Sequence, residues 1–266
     1  SLRLSVSPSL RLSVSPSLPS PVFPSIISPA LADLARTLAP IARPVGLLVM
    51  LSGRGRTLDN LLHSCRDGLL RDAARVRLVI ASSDSPGAQL ARDANIETRV
   101  IPGTISAADL AALAHEHACS LIILAGYLRK VDIPAPIPVL NIHPALLTHH
   151  LDPAERAALL SRGLRESDLA ANFGGPGLFG DRVHRAVLAA AAPVSGCTVH
   201  LCDAAYDTGP VLLRRTCPVT PTDTPESLAA RVFAEERIAY PEAIARALGL
   251  ENPGVWNPNP ARASNT

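Results

Sequence analysis

With 266 residues, 47% of them hydrophobic, the chain can bury a sizeable core; aromatics at only 3% mean that Leu, Val, Ile and Ala must build it. A formal net charge of +2 excludes the strongly basic balance that collects nucleic-acid phosphates, so nucleic acid is not an expected partner. Five cysteines without CxxC spacing argue against a disulfide framework and a zinc site, and no apolar run approaches the ~20 residues that span a bilayer, so a soluble, cytoplasmic protein with reduced thiols is expected, with no metal and no membrane partner.

In chain order, residues 1–16 repeat "SLRLSVSP" twice, and Ser and Pro continue through "SLPSPVFPSIISPA". Such composition does not close a core, and residues 1–40 are expected to be a dispensable, disordered extension. From residue 45 the pattern alternates. "VGLLVML" (45–51) reads as a buried strand, "SGRGRT" as a turn and "LDNLLHSCRDGLL" as a helix. Strands follow at 76–82, 97–101, 120–126 and 138–142, with helices near 86–94 and in "SAADLAALAHEHA", where Ser106 and Asp109 make a capping box. This alternation predicts an α/β fold: a Rossmann-like, mostly parallel sheet with helices on both faces.

The second half differs. "HHLDPAERAALLSRGLRESDLAANF" interrupts the plan, and Asp152, Pro153 and Glu155 form a helix start, so one surface helix is expected within an insert at 151–172. "GDRVHRAVLAA" reads as a helix. "GCTVHLCD" (196–203) and "PVLLRRTCPV" (210–219) read as strands joined by a short link, which predicts an antiparallel C-terminal addition to the sheet. A helix at 225–248 closes a domain of residues 41–250, and 251–266 is expected to be a flexible tail.

Three stretches carry chemistry. In "LSGRGRTL" a strand, a glycine turn and a helix start aim backbone N–H groups at one point; that suits a phosphate or an ordinary turn, and the spacing is not a Walker motif. In "VLNIHPALL", Asn141 and His143 are two residues apart and so share a face at the strand's carboxyl end, where open α/β sheets bind ligands. They offer an oxyanion donor beside a proton donor, or else a pair that stitches a loop. In "DAAYDTGPVL", Asp207 either pairs with His143 or performs plain turn chemistry.

Taken together and in order, "LSGRGRTL", "LAGYLRKV", "LNIHPALL", "GCTVHL", "YDTGPVLL" and "ARVFAEERIAYPEAI" resemble the phosphoribosylglycinamide (GAR) formyltransferases over about residues 45–248. The resemblance implies an enzyme of purine synthesis that moves a formyl group from 10-formyltetrahydrofolate, a co-substrate, to the amine of GAR. It implies a catalytic set of Asn141, His143 and Asp207. It places the GAR phosphate at Gly55, Arg56 and Thr57, and the GAR amine at Glu236. It places the folate at Leu128, Arg129, Lys130 and Val131, with Tyr127 just before them, at Asn141, and at Asp203, Ala204, Ala205, Tyr206 and Asp207.

The chain departs from this pattern at Thr148, where the family often has a loop proline, in the 151–172 insert, and in "GTISAADL", which lacks an arginine that helps bind folate. Formyltetrahydrofolate deformylase and methionyl-tRNA formyltransferase share the Asn-x-His and Asp elements, but usually carry a further N-terminal or C-terminal domain. A non-catalytic folate- or nucleotide-binding module is the alternative of a different class. Glu236 discriminates among these, because it has a purpose only where a glycinamide amine is held.

Overall fold

The computed structural model describes residues 24–250. Eight strands form one sheet in the order β1-β8-β7-β6-β5-β2-β3-β4. Strands β2 (Val45–Leu51), β3 (Ala74–Ala81), β4 (Glu97–Val100), β5 (Cys119–Leu124) and β6 (Val139–His143) run parallel. Strands β7 (Val194–Leu201), β8 (Val211–Pro218) and β1 (Ile26–Ile27) add on antiparallel, as the short link between β7 and β8 requires.

Strand β2 is buried along its whole length because helices cover both faces. Its side chains alternate between two cores. Val45, Leu47, Val49 and Leu51 join α1 (Ala30–Leu38), α2 (Arg56–Arg66), α3 (Pro86–Asp93), α7 (Asp181–Ala189) and α8 (Pro225–Ala247). Leu48 and Met50 join Leu110 and Ala114 of α4 (Ala107–Glu116). At the start of α4, Ser106 Oγ accepts from Asp109 N–H (3.1 Å) and donates to the Asp109 carboxylate (2.7 Å), so the reciprocal half of the expected capping box is absent.

Residues 24–40 correct the expectation of a disordered extension up to residue 40. Ile26–Ile27 pair with Leu213 and Arg214 of β8, and Leu31, Leu34 and Leu38 of α1 are buried in the main core. The apolar spacing of "LADLARTL" outweighs the surrounding Ser and Pro once α8 and β8 supply a surface. The repeat at 1–16 and the tail at 251–266 lie outside the described residues.

The insert also differs from a single surface helix. It forms α5 (Pro153–Ser161) and α6 (Glu166–Ala171), and Leu159, Leu164 and Leu169 close a third small core with Ile26 and Leu146. Asp152 and Glu155 make the expected capping box, at 2.8 and 3.0 Å. No helix among the described residues is long and apolar enough to cross a membrane.

Candidate active site

The chain leaves β2 toward β3 on one side, while β5 lies on the other, so a crevice opens beyond the carboxyl ends of β2 and β5. Two hydrogen bonds tie the loops there: Ser52 N–H donates to the Gly126 carbonyl (3.1 Å), and Leu128 N–H to Ser52 Oγ (3.0 Å). A cavity of about 650 Å³ fills the crevice. Gly55, Arg56, Thr57, Asn141, His143, Asp207 and Glu236 all line it, so residues far apart in sequence meet at one space.

The glycine turn is built for close approach. Gly55 is the N-cap of α2 with φ 77°, a left-handed conformation that favours glycine. Gly87, at the start of α3, packs on it: its N–H donates to the Gly53 carbonyl (3.0 Å), and a Cβ there would sit 2.6 Å from that oxygen. The start of α2, Gly55 to Thr57, thus lines the cavity with Arg54 beside it, and a helix start of this kind suits an anion. The Arg56 guanidinium lies 4.2 Å from the centre of the Phe233 ring on α8.

Helix α8 is fixed by Tyr240, whose buried hydroxyl lies 2.8 Å from the Leu140 carbonyl and 3.1 Å from that of Leu124. Glu236 is one turn earlier on the same face and therefore reaches the cavity wall. Burial pushes the Glu236 carboxyl up to about 7, against the opposing pull of Arg56. Its neighbour Glu235 turns instead to β8, where Arg215 Nε donates to it (2.7 Å).

Asn141 and His143 stand two residues apart on β6, as the alternation predicts. His143 is buried, with Nδ1 3.4 Å from Asp207 Oδ2 and Nε2 2.7 Å from the Phe173 carbonyl. Burial lowers its pKa, while Asp207 and the Phe173 carbonyl push upward. Burial pushes Asp207 up in turn, but a hydrogen bond from His200, the charge of His143 and the Gly175 N–H (3.0 Å) together hold it below the usual carboxylate value. Asp207 sits at φ 56° in the turn after β7. That turn is tied by Asp203, which accepts from Ala205 N–H (3.1 Å) and Thr208 Oγ1 (2.7 Å).

A smaller cavity of about 80 Å³ collects Arg129, Lys130, Val131, Asp203, Ala204 and Ala205. Tyr127, Asn141, Tyr206 and Asp207 line both spaces. Leu128 lines only the larger one and is 63% exposed. Two buried histidines on the site were not singled out from the sequence. His184 of α7 lines the large cavity, and His200 of β7 is paired in register with Asn141. The signal for His200 lay in "GCTVHL" running antiparallel beside "VLNIH", a pairing that strand prediction alone does not give.

The formyl transferase family model matches residues 46–244. The chain is 34% identical over 209 residues to the chloroplastic phosphoribosylglycinamide formyltransferase of Arabidopsis thaliana, covering 74% of this chain and 63% of that protein. It is 34% identical over 208 residues to the Vigna unguiculata protein of the same name, covering 59% of it, so the match spans about three fifths of these relatives. The solved structure of glycinamide ribonucleotide transformylase 1 from Symbiobacterium toebii superposes with a TM-score of 0.60 at 34% identity, over 77% of this chain and 88% of that one. With three quarters of its length in that match, the chain belongs to the formyl transferase family.

Proposed function

We propose that residues 24–250 transfer a formyl group from 10-formyltetrahydrofolate to the amine of GAR, a step of purine synthesis, and do so in the cytoplasm, where the free thiols stay reduced. The observation that carries this reading is the single cavity lined by the Gly55–Thr57 helix start, by Asn141, His143 and Asp207, and by Glu236. A small dianionic phosphate suits the first, a reacting carbonyl the second, and an amine the third. The relatives named for GAR formyl transfer support the same substrate.

In this reading the GAR phosphate rests on the N–H groups of Gly55, Arg56 and Thr57, and Glu236 holds the amine. The folate lies along Leu128 to Val131 and the turn Asp203 to Asp207, and its formyl carbon meets the face shared by Asn141 and His143. The neutral amine attacks that carbon, a C–N bond forms, and negative charge builds on the formyl oxygen. Asn141 donates to that oxygen, as does protonated His143 once Nε2 turns from the Phe173 carbonyl, and Asp207 orients the imidazole and opposes the burial that disfavours its charge. Collapse breaks the bond from carbon to the folate nitrogen, and the proton lost by the amine passes to that nitrogen.

The test is calorimetric titration of the protein and its Glu236→Gln variant with each ligand separately. The expected result is GAR binding weakened by ~1.5–3 kcal/mol, the range for a charged hydrogen bond, with folate binding unchanged. Equal losses for both ligands would favour a deformylase, which has no amine to hold.

A further inference from the structure

Two imidazoles share the Asp207 carboxylate. His143 Nδ1 stands 3.4 Å from Oδ2, and His200 Nε2 stands 3.4 Å from Oδ1. The role of His143 is given by the formyl-transfer reading above; His200 has none there. It is almost wholly buried, at 2% exposure, and lines the smaller cavity beside Asn141 and Asp207.

Those contacts leave two arrangements. His200 Nδ1 lies 2.9 Å from the Leu201 carbonyl. Nε2 lies 3.1 Å from the Asn141 amide. With Nε2 bare, it accepts from the Asn141 NH2, which turns the amide oxygen of Asn141 to the cavity. The same bare Nε2 then sets a lone pair against Asp207 Oδ1. With Nε2 protonated, it donates to Asp207 Oδ1 and to the Asn141 oxygen, and the NH2 turns to the cavity. A side-chain amide has nearly the same outline either way round, so the 3.1 Å contact serves both.

Only the second arrangement turns the Asn141 donor to a developing oxyanion; a carbonyl oxygen in that place would repel it. We infer that His200 is a positioning residue: with its Nε2 hydrogen shared between Asp207 Oδ1 and the Asn141 oxygen, it holds the Asn141 amide with its NH2 toward the reacting carbonyl. The titratable groups that face it are Asp207 on its own turn and His143 on β6. The nearby Cys202 thiol is pushed up to about 12 by burial and carries no charge. Asp207 is held ionised and so accepts on both sides, with Oδ2 toward His143 and Oδ1 toward His200. The inference rests on the formyl-transfer reading for its catalytic consequence, but which nitrogen of His200 carries hydrogen is a property of the free protein.

Two measurements test it. In nitrogen-15 NMR of the free protein, with the His200→Gln spectrum for assignment, His200 Nε2 should carry hydrogen at neutral pH. A bare Nε2 would overturn the proposal whether or not the protein turns over. The second is a double-mutant cycle on turnover. His200→Gln should lower kcat by on the order of tenfold or more, up to the ~10²–10³ of a lost oxyanion donor, with KM for GAR little changed. In an Asn141→Ala background the same substitution should change kcat by less than about twofold, since its target is gone. Full additivity of the two effects would show that His200 acts elsewhere. A wild-type protein without formyl transfer refutes the functional reading instead, and the NMR result then decides His200 alone.

Discussion

Arg214 and Glu155 form an ion pair closed to water on both sides: Nη1 and Oε1 are 2.8 Å apart, and the side chains are 0% and 3% exposed. The pair joins β8 to the first helix of the insert. Arg214 Nε also donates to the Leu147 carbonyl (2.7 Å), while Thr198 Oγ1 bonds the Ala145 carbonyl (2.8 Å) and Leu147 N–H (2.9 Å). The segment that follows His143 is therefore pinned to β7, β8 and α5 together.

Removing one partner of this pair leaves a buried charge alone. Glu155→Gln is expected to cost about 3–5 kcal/mol of stability, and Arg214→Met combined with Glu155→Leu to recover most of it. Urea denaturation measures both. A loss below about 1 kcal/mol in the single variant, the range of surface pairs, would contradict the burial.

Helix α1 is expected to be part of the folded unit. Leu34 is 4% exposed within the main core, so Leu34→Ala should cost about 2–5 kcal/mol, and removal of residues 1–38 should lower Tm clearly. Unchanged thermal denaturation after that truncation would show that α1 contributes nothing to the core.

Glu236 imposes a pH dependence on the unliganded protein. Its folded-state carboxyl is raised to about 7 from 4.5, so between those values the folded state binds more protons than the unfolded one. Its cost to stability therefore grows as pH rises through that window, is complete above it, and is absent below 4.5. Glu236→Gln should then be more stable than wild type above pH 7, relative to their difference at pH 4. A constant difference across the range would contradict the raised carboxyl.

Gly87→Ala is expected to act on a loop it does not belong to. The added Cβ meets the Gly53 carbonyl at 2.6 Å and Gly55 N at 2.9 Å, both backbone, so the Gly53–Gly55 turn must shift. Overpacking of this kind costs about 1–3 kcal/mol. KM for GAR should rise on the order of tenfold while folate affinity holds. Steady-state kinetics with each substrate varied checks this.

The parallel half of the fold was legible because fully apolar runs such as "VGLLVML" alternate with helical spacing and capped starts. The site was legible where two residues share a short motif, as Asn141 and His143 do. What stayed hidden depends on partners remote in sequence. Leu31, Leu34 and Leu38 show a helical stripe only nine residues long, and α8 and β8 decide that it is buried. Glu155 reads as a capping acid and is one, yet its other oxygen takes Arg214 from a strand 59 positions away. His200 gained its place from the register of β7 on β6, which no local pattern encodes.

The central claim is that this cavity joins a formyl donor to a glycinamide amine. The most direct measurement is turnover of the purified protein with 10-formyltetrahydrofolate, with and without GAR, following formyl-GAR and formate separately. The account predicts formyl-GAR in step with tetrahydrofolate, little formate when GAR is absent, and a drop of ~10²–10³ in turnover for Asn141→Ala. Formate release at the same rate with or without GAR, and no formyl-GAR, would contradict it.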